Sequence, residues 1–540
     1  MHEQSGGDGM VDPSQSDRTT ISYRPDIDGL RAIAILPILL LHCGVSAVRG
    51  GFVGVDIFFV ISGYLITAII RRDLATDDFS IGQFLRHRIV RILPALFAML
   101  TIVLIAGCVI LLPNQIRELA NSVVWASLFV SNVYFYQTSD YFAAASDAKP
   151  LIHIWSLAVE EQFYLFYPWF LMLLRHLSQR NLVRVMVGLA TASFAMGGVL
   201  AITDPAAAFF LLPGRIWELA LGGLVAMRAF PLINHRYLRN LICVAAMTVI
   251  AASCLVIGIR WTFPVPFALA SAAAAALLIA YGEDGPTARL LSFMPLRTIG
   301  LLSYSLYLWH RPIISFYQLE FGSTLQPTDS ALLVAACFGA AATSYWLVER
   351  PAIKRWRSGR QSWPHIAAFG ALSCGVLVGL LVATHANSIR PLPPRLSRIA
   401  NYLGHDTTPA GRRQFSLDRC FSIPTRRPYD LACMRLSAHK PNIVLLGDSH
   451  AAHLSQALRE ARRDANIVQA TAAGCLPLLH GGGLSSCRNV MDHAFAEIDF
   501  AKAATIILSA RWLRGDEAAL QETIAYLQKR GGKVVVLGPS

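Results

Sequence analysis

Charged side chains are scarce in this sequence. Of 540 residues only 15% are charged while 54% are hydrophobic, and mean hydropathy is +0.47. Soluble globular domains carry about 25% charged residues, so this composition excludes an ordinary soluble protein and describes an integral membrane protein. Acidic residues are the scarcer sign, 34 against 47 basic, which leaves a net charge of +13. That excess does not read as nucleic-acid binding, because the basic residues sit in short connections between apolar runs, as the positive-inside rule requires. Residues 1–22 contain no apolar run and no small-residue cleavage site follows them. A removable signal peptide is therefore not expected, and 1–22 reads as a disordered cytoplasmic tail. Cysteine is sparse outside the apolar part: Cys43, Cys108, Cys243, Cys254, Cys337 and Cys374 lie in or beside apolar runs, where they serve as small core residues. The remaining four suit two disulfides in an oxidising compartment, most simply Cys420 with Cys433 and Cys475 with Cys487.

Segments long and apolar enough to cross about 30 Å of hydrocarbon fall at 30–45, 52–70, 92–113, 151–173, 183–202, 207–227, 240–258, 263–281, 298–318, 330–348 and 365–384. A twelfth, 117–136, follows Pro113 and is diluted by Asn121, Ser122, Ser127, Ser131 and Asn132. Loop charge decides its role. If it does not cross and the N-terminus is cytoplasmic, the inner loops hold the Arg71, Arg86, Arg175, Arg228, Arg289 and Arg350 groups. The outer loops then keep only Arg49, Arg117, Lys149 and Arg260, with Asp140, Asp147, Asp204, Glu320 and Asp329. Segment 117–136 is therefore expected to re-enter or lie on the surface, leaving ten core spans, a linking eleventh, and an exported C-terminal part.

Several spans contain residues that lipid penalises. Arg31 and His42 are eleven residues apart, roughly 20° around an ideal helix and about 16 Å along it, so they share one face. An ionisable residue at membrane depth costs about 2.5 to 3.5 kcal/mol, so a stripe of two needs a partner, a cavity or a function. Arg86, Arg88 and Arg91 stand where the third span leaves the cytoplasm; Arg88 and Arg91, at i and i+3, form one guanidinium face able to hold phosphate. His42 is the leading general base, since imidazole titrates near neutrality unaided. Asp56 and Glu160 or Glu161 are its candidate carboxylate partners, with the choice between the two glutamates open. His310 precedes Arg311-Pro312, where a proline kink inside a membrane marks a cavity or polar partner. Gly63 beside Ser62 reads as close helix packing, and Glu349 with Arg350 as a local structural pair.

The Arg31/His42 stripe, FFVISGYLI, RHRIVRILPALF, HIWSLAVEEQFYLFYP, SYSLYLWHRPI and WLVERP, in this order, resemble the acyltransferase-3 family of membrane proteins over roughly residues 20 to 360. The resemblance implies an essential role for His42 in moving an acyl group, binding of an acyl-CoA donor at Arg88-x-x-Arg91, and an exported domain after the eleventh span.

Composition changes near residue 385, after which PNIVLLGDSHAAHLSQALREARR reads as strand, tight turn and amphipathic helix. Further strand-like runs at NIVQATAAG, ATIILSA and GGKVVVLGP imply a parallel sheet covered by helices. Gly447-Asp448-Ser449-His450 resembles the GDS block of the SGNH hydrolase family, which implies Ser449 as nucleophile and Gly474 with the Ser449 amide as oxyanion hole. Where that family places an Asn this chain has Ser509-Ala510-Arg511-Trp512, and its Asp-x-x-His is not found before Ser540. Either the natural end is missing or the domain is incomplete and inactive, since a Ser without its base is a poor nucleophile.

The expected protein is thus an α-helical polytopic membrane domain followed by an α/β SGNH-like, flavodoxin-like domain apparently lacking its C-terminal end. Its parts are the tail 1–22, the membrane domain 23–360, a linking helix 361–390, a periplasmic extension 391–435 and the SGNH-like domain 436–540. By resemblance it is an O-acetyltransferase of the bacterial inner membrane with a periplasmic C-terminal domain. It would take acetyl from cytoplasmic acetyl-CoA to an exported polysaccharide, lipopolysaccharide O-antigen being favoured and peptidoglycan the alternative. No metal is expected. A transporter, and a membrane enzyme whose inactive SGNH-like domain docks glycan, are the rivals.

Overall fold

The computed structural model describes residues 23–138, 149–257, 265, 267–322, 325–357, 364–400, 408–417, 419–422, 429–480, 485–512 and 515–538. The tail 1–22 and Asp140, Asp147, Arg260 and Arg360 lie outside them. The chain forms two compact units, Met1–Arg390 and Pro391–Ser540.

The first unit is helical: α1 Pro25–His42, α2 Gly54–Ala75, α3 Ile81–Ile110, α4 Pro113–Ser127, α5 Ser131–Thr138, α6 Ile154–Leu173, α7 Gln179–Thr203 and α8 Pro205–Phe210. There follow α9 Ile216–Ala226, α10 Arg236–Val256, α11 Ala268–Tyr281, α12 Pro286–Leu291, α13 Met294–Phe321, α14 Pro327–Ser344, α15 Arg350–Arg357 and α16 Pro364–Ile389. Among the described residues six helical segments are long and apolar enough to cross a membrane: Gly51–Ala75, Ile81–Ile110, Gln179–Thr203, Arg236–Val256, Pro327–Arg355 and Ala367–Ile389. The other expected spans differ from these for visible reasons. Helices α1, α6 and α13 carry Asp28, Arg31, Glu160, Glu161 and Arg311, and α11 is short.

The span expected at 207–227 is not one helix. Helix α8 ends at Phe210, a 3-10 turn occupies Leu212–Gly214, and α9 starts at Ile216. Pro213 removes a backbone donor, and Arg215 is drawn sideways to charged partners. The 117–136 segment is likewise broken, at Leu128–Val130 between α4 and α5. Helices α2 and α9 lie close enough that a Cβ on Gly63 would overlap the Leu219 carbonyl oxygen and one on Gly222 the Val60 oxygen, the small-residue contact that brings membrane helices together. This contact seats Arg215, the residue immediately before α9, against Asp56 of α2.

The second unit holds a five-stranded sheet, β1 Phe421–Ser422, β2 Asn442–Gly447, β3 Asn466–Ala472, β4 Ala503–Ser509 and β5 Val534–Leu537, all parallel, in the order β1-β3-β2-β4-β5. Strand β2 is buried throughout, as a central parallel strand must be. Disulfides join Cys420 to Cys433 and Cys475 to Cys487, the simplest pairing of the four.

Candidate functional site

A cleft of about 830 Å³ opens between α1, α2, α3, α6 and α13, and its polar wall comprises Arg31, Ser62, Arg88, Arg91, Glu160 and Tyr304. Arg88 and Arg91 both face it, as their i,i+3 spacing requires. Arg86, two residues back and so on the far side of α3, does not line it. The Arg88 guanidinium lies over two rings, 5.6 Å from the centroid of Phe84 and 5.1 Å from that of Tyr164, a cation–π seat that fixes it without neutralising it. Glu160 accepts hydrogen bonds from Ser62 and from Tyr164, the latter at 3.3 Å. Three arginines and the Glu160 carboxylate line this cleft, and Arg31 is also paired with Asp28 at 3.8 Å, so Arg88 and Arg91 are the guanidinium groups placed to meet an anion. Of the two glutamates Glu160 lines the cleft, whereas Glu161 does not, and the Glu161 Oε1 is buried without a hydrogen-bond partner among the described residues.

Tyr307 forms the inner wall of the cleft. Its hydroxyl lies 2.6 Å from the Ser156 hydroxyl and donates to the His153 carbonyl at 2.7 Å. Beyond it stand three imidazoles, with ring centroids 5.2 Å apart for His42 and His310 and again for His153 and His310. Their tautomers follow from their partners. His310 Nδ1 lies 2.8 Å from the Tyr307 carbonyl oxygen, which only accepts, so Nδ1 carries the proton and a neutral ring keeps a lone pair on Nε2. That Nε2 is buried with no hydrogen-bond partner among the described residues. His153 Nε2 donates to the Leu308 carbonyl at 3.1 Å. His42 itself does not line the cleft; it reaches it through His310 and the Tyr307 ring, whose centroid is 5.5 Å from that of His310.

Asp56, considered as a partner for His42, is elsewhere. The Arg215 guanidinium donates to Asp56 at 3.0 Å and to Glu218 at 2.6 Å, and all three side chains have no exposed surface. Ser271 adds a bond to Asp56 at 3.4 Å, and Trp155, Phe209 and Phe59 ring the guanidinium. Two carboxylates around one guanidinium, wholly enclosed, is a structural knot, since ions left unpaired there would be intolerable. The arginine and glutamate of this knot sit at i and i+3 in an otherwise apolar run, a signal the sequence carries that the span count passes over. Glu349 is also misplaced by sequence: it pairs not with Arg350 but with the Ser305 hydroxyl at 3.0 Å, from a π-helical turn at Tyr345–Glu349, while Arg350 stacks on Trp346. Replacing Arg215 by Ala is expected to cost about 3 kcal/mol or more, because it strands two buried carboxylates. Thermal unfolding of the purified protein measures this, and an unchanged midpoint would remove the knot from the account of the fold.

In the second unit Ser449 follows β2 at its C-terminal end and is exposed, while the Asp448 carboxylate is buried and accepts from the His450 amide at 2.7 Å and the Arg511 amide at 2.8 Å. Asp448 thereby ties the turn after β2 to the end of β4. Gly474 adopts φ +62° just past β3, a left-handed conformation that suits glycine. The order in which strands are added reverses at β2, which lies between β3 and β4, and the crevice at the C-terminal edge of such a switch point is where open α/β sheets bind ligands. Ser449, Gly474 and Arg511 all lie at that edge.

Apolar helices folded around a buried, charged cleft, followed by a parallel α/β unit, define a multi-pass membrane protein with an attached α/β domain. The chain belongs to the acyltransferase-3 family: the acyltransferase domain of that family matches residues 24–349, and the SGNH domain that occurs fused to it matches residues 419–540. It is 31% identical over 351 residues to the peptidoglycan O-acetyltransferase OatA of Listeria monocytogenes, covering 62% of this chain and 56% of that protein. It is 33% identical over 309 residues to the O-acetyltransferase OatA of Staphylococcus aureus, covering 54% of this chain and 51% of that one. The chain spans about half the length of the curated relatives it matches. No solved structure matches it.

Proposed function

We propose that this protein is an O-acetyltransferase that moves acetyl from cytoplasmic acetyl-CoA to a hydroxyl of an exported cell-envelope glycan. The observation that carries the reading is the shared wall of Tyr307, with an arginine-lined cleft on one side and three imidazoles on the other. Arg88 and Arg91 hold the donor's phosphates. In the net reaction a hydroxyl gives its proton to an imidazole, its oxygen bonds to the acetyl carbonyl carbon, the thioester C–S bond breaks, and the thiolate takes up the proton as coenzyme A. His42 is the base or relay, with His310 beside it, and Ser449 carries acetyl to the glycan as an acyl-serine. The printed name of the Listeria relative makes peptidoglycan the acceptor to test first. The O-antigen preference has no counterpart in either relative described above.

Inverted inner-membrane vesicles expose the cytoplasmic side to added donor. Supplied with acetyl-labelled acetyl-CoA, they are expected to place label on enclosed glycan and to release free coenzyme A in equal amount. Translocation of a small molecule with no ester formed and no coenzyme A released would replace this reading with a transporter.

A further inference from the structure

A second cleft, of about 1540 Å³, lies in the membrane unit apart from the one described, and its charged and amide lining is Arg24, Arg71, Arg72, Arg228, Gln179 and Glu283. These residues come from five different places: the residue before α1, the end of α2, the start of α7, the residues after α9 and those after α11. Each is a terminus that loop charge assigns to the cytoplasmic side. Charge that only sets orientation has no reason to converge in one cleft from five elements.

Two of the four arginines are neutralised, Arg24 by Asp26 at 2.7 Å and Arg72 by Asp73 at 2.7 Å. Neither Arg71 nor Arg228 forms an ion pair with a carboxylate among the described residues, and the two guanidinium groups repel one another across the cleft. Arg71 is nevertheless held in place. Gln179 accepts from it at 2.8 Å, and the other end of the same amide donates to the Met227 carbonyl at 2.6 Å, locking α2, α7 and the end of α9 together. Arg228 follows directly in a left-handed conformation, φ +53°, where helices usually place glycine. A non-glycine residue held there marks a position its surroundings over-determine. Two like charges positioned to face one cleft lack only a multivalent anion between them.

We infer that this cleft is a second anion site, taking a phosphate-bearing group from the cytoplasmic side. Two sources carry that chemistry, the nucleotide end of the acyl donor and the headgroup of an anionic lipid. Ser62 in the first cleft and Arg71 in the second are nine residues apart on α2, about 14 Å along the axis and a half turn around it, so the two clefts flank opposite faces of that helix. The nucleotide source rests on the acyl-transfer reading; the lipid source does not.

The test uses the full chain in zwitterionic nanodiscs, with Arg71→Gln and Arg228→Gln, neither of which lines the first cleft. The probes are coenzyme A, 3′-dephospho-coenzyme A and phosphatidylglycerol, read by calorimetry for the nucleotides and native mass spectrometry for the lipid. If the nucleotide is the source, both variants bind coenzyme A about tenfold more weakly, the loss of one charge-assisted contact. The wild type then binds 3′-dephospho-coenzyme A about as weakly as the variants do. If a headgroup is the source, coenzyme A binding is unchanged and retained phosphatidylglycerol is lost in the variants. A wild type that binds no coenzyme A but retains lipid through these arginines keeps the site and removes the donor reading. Arg228→Lys, which keeps the charge, is expected within about threefold of wild type and controls for misfolding. Variants that fold and match wild type for all three probes overturn the inference.

Discussion

His42→Ala is expected to reduce acetyl on the cell-surface glycan by about 100-fold or more, the range that separates a positioned general base from none. The side chain is half-buried, with its ring 5.2 Å from that of His310, and Arg31 of the same helix lines the cleft. Removing it also opens space beside His310, so loss of activity in the alanine variant is not sufficient evidence of chemistry. His42→Gln keeps volume and a hydrogen-bonding end while removing the titrating ring. Both variants should expressed-level match wild type and lose acetylation together. Retained activity in His42→Gln would reduce His42 to packing, and the lone pair of His310 Nε2 would become the base to examine, by His310→Gln under the same assay.

Ser449→Ala carries the second large effect. If the α/β unit transfers acetyl as an acyl-serine, the variant is expected to leave glycan acetylation at background, while the membrane unit still consumes acetyl-CoA slowly as water replaces the missing acceptor. Coenzyme A release and glycan ester are measured on the same vesicles, so the two steps separate: His42→Ala stops both, and Ser449→Ala stops the second more than the first. Ser449 is exposed and its oxygen supports no buried contact, so the alanine variant should fold normally. Unchanged glycan acetylation in it would make the α/β unit a docking module and leave the ester-forming step to the membrane unit.

Much of this arrangement was legible from residue types and spacing. Arg88 and Arg91 face one cleft because i,i+3 positions share a helix side, and that follows from helix geometry alone. The strand–turn–helix at IVLLGDSH follows from a buried apolar run stopped by Gly447, which is in an extended positive-φ conformation at φ +146°. The partnering of charges was not legible. Asp56 and Arg215 are 159 residues apart, and Ser62 and Glu160 are 98 apart, so nothing local relates them. The break between α8 and α9 belongs to the same class, because an apolar run of that length reads as continuous unless the pull on Arg215 is known.

The sequence by itself determined that this chain enters a membrane, which spans hold ionisable residues, that a covalently cross-linked α/β unit follows, and which arginines share a face. Hydropathy and helical or strand period are properties of short stretches, and they survive without knowledge of neighbours. Only the tertiary structure decided that Glu160 and not Glu161 meets the cleft, that Asp56 serves Arg215, and that His42 reaches the cleft through His310 and Tyr307. Those outcomes depend on which helices touch and at what rotation, and electrostatic pairing inside a low-dielectric interior is set by contacts of a few ångströms that no single segment encodes.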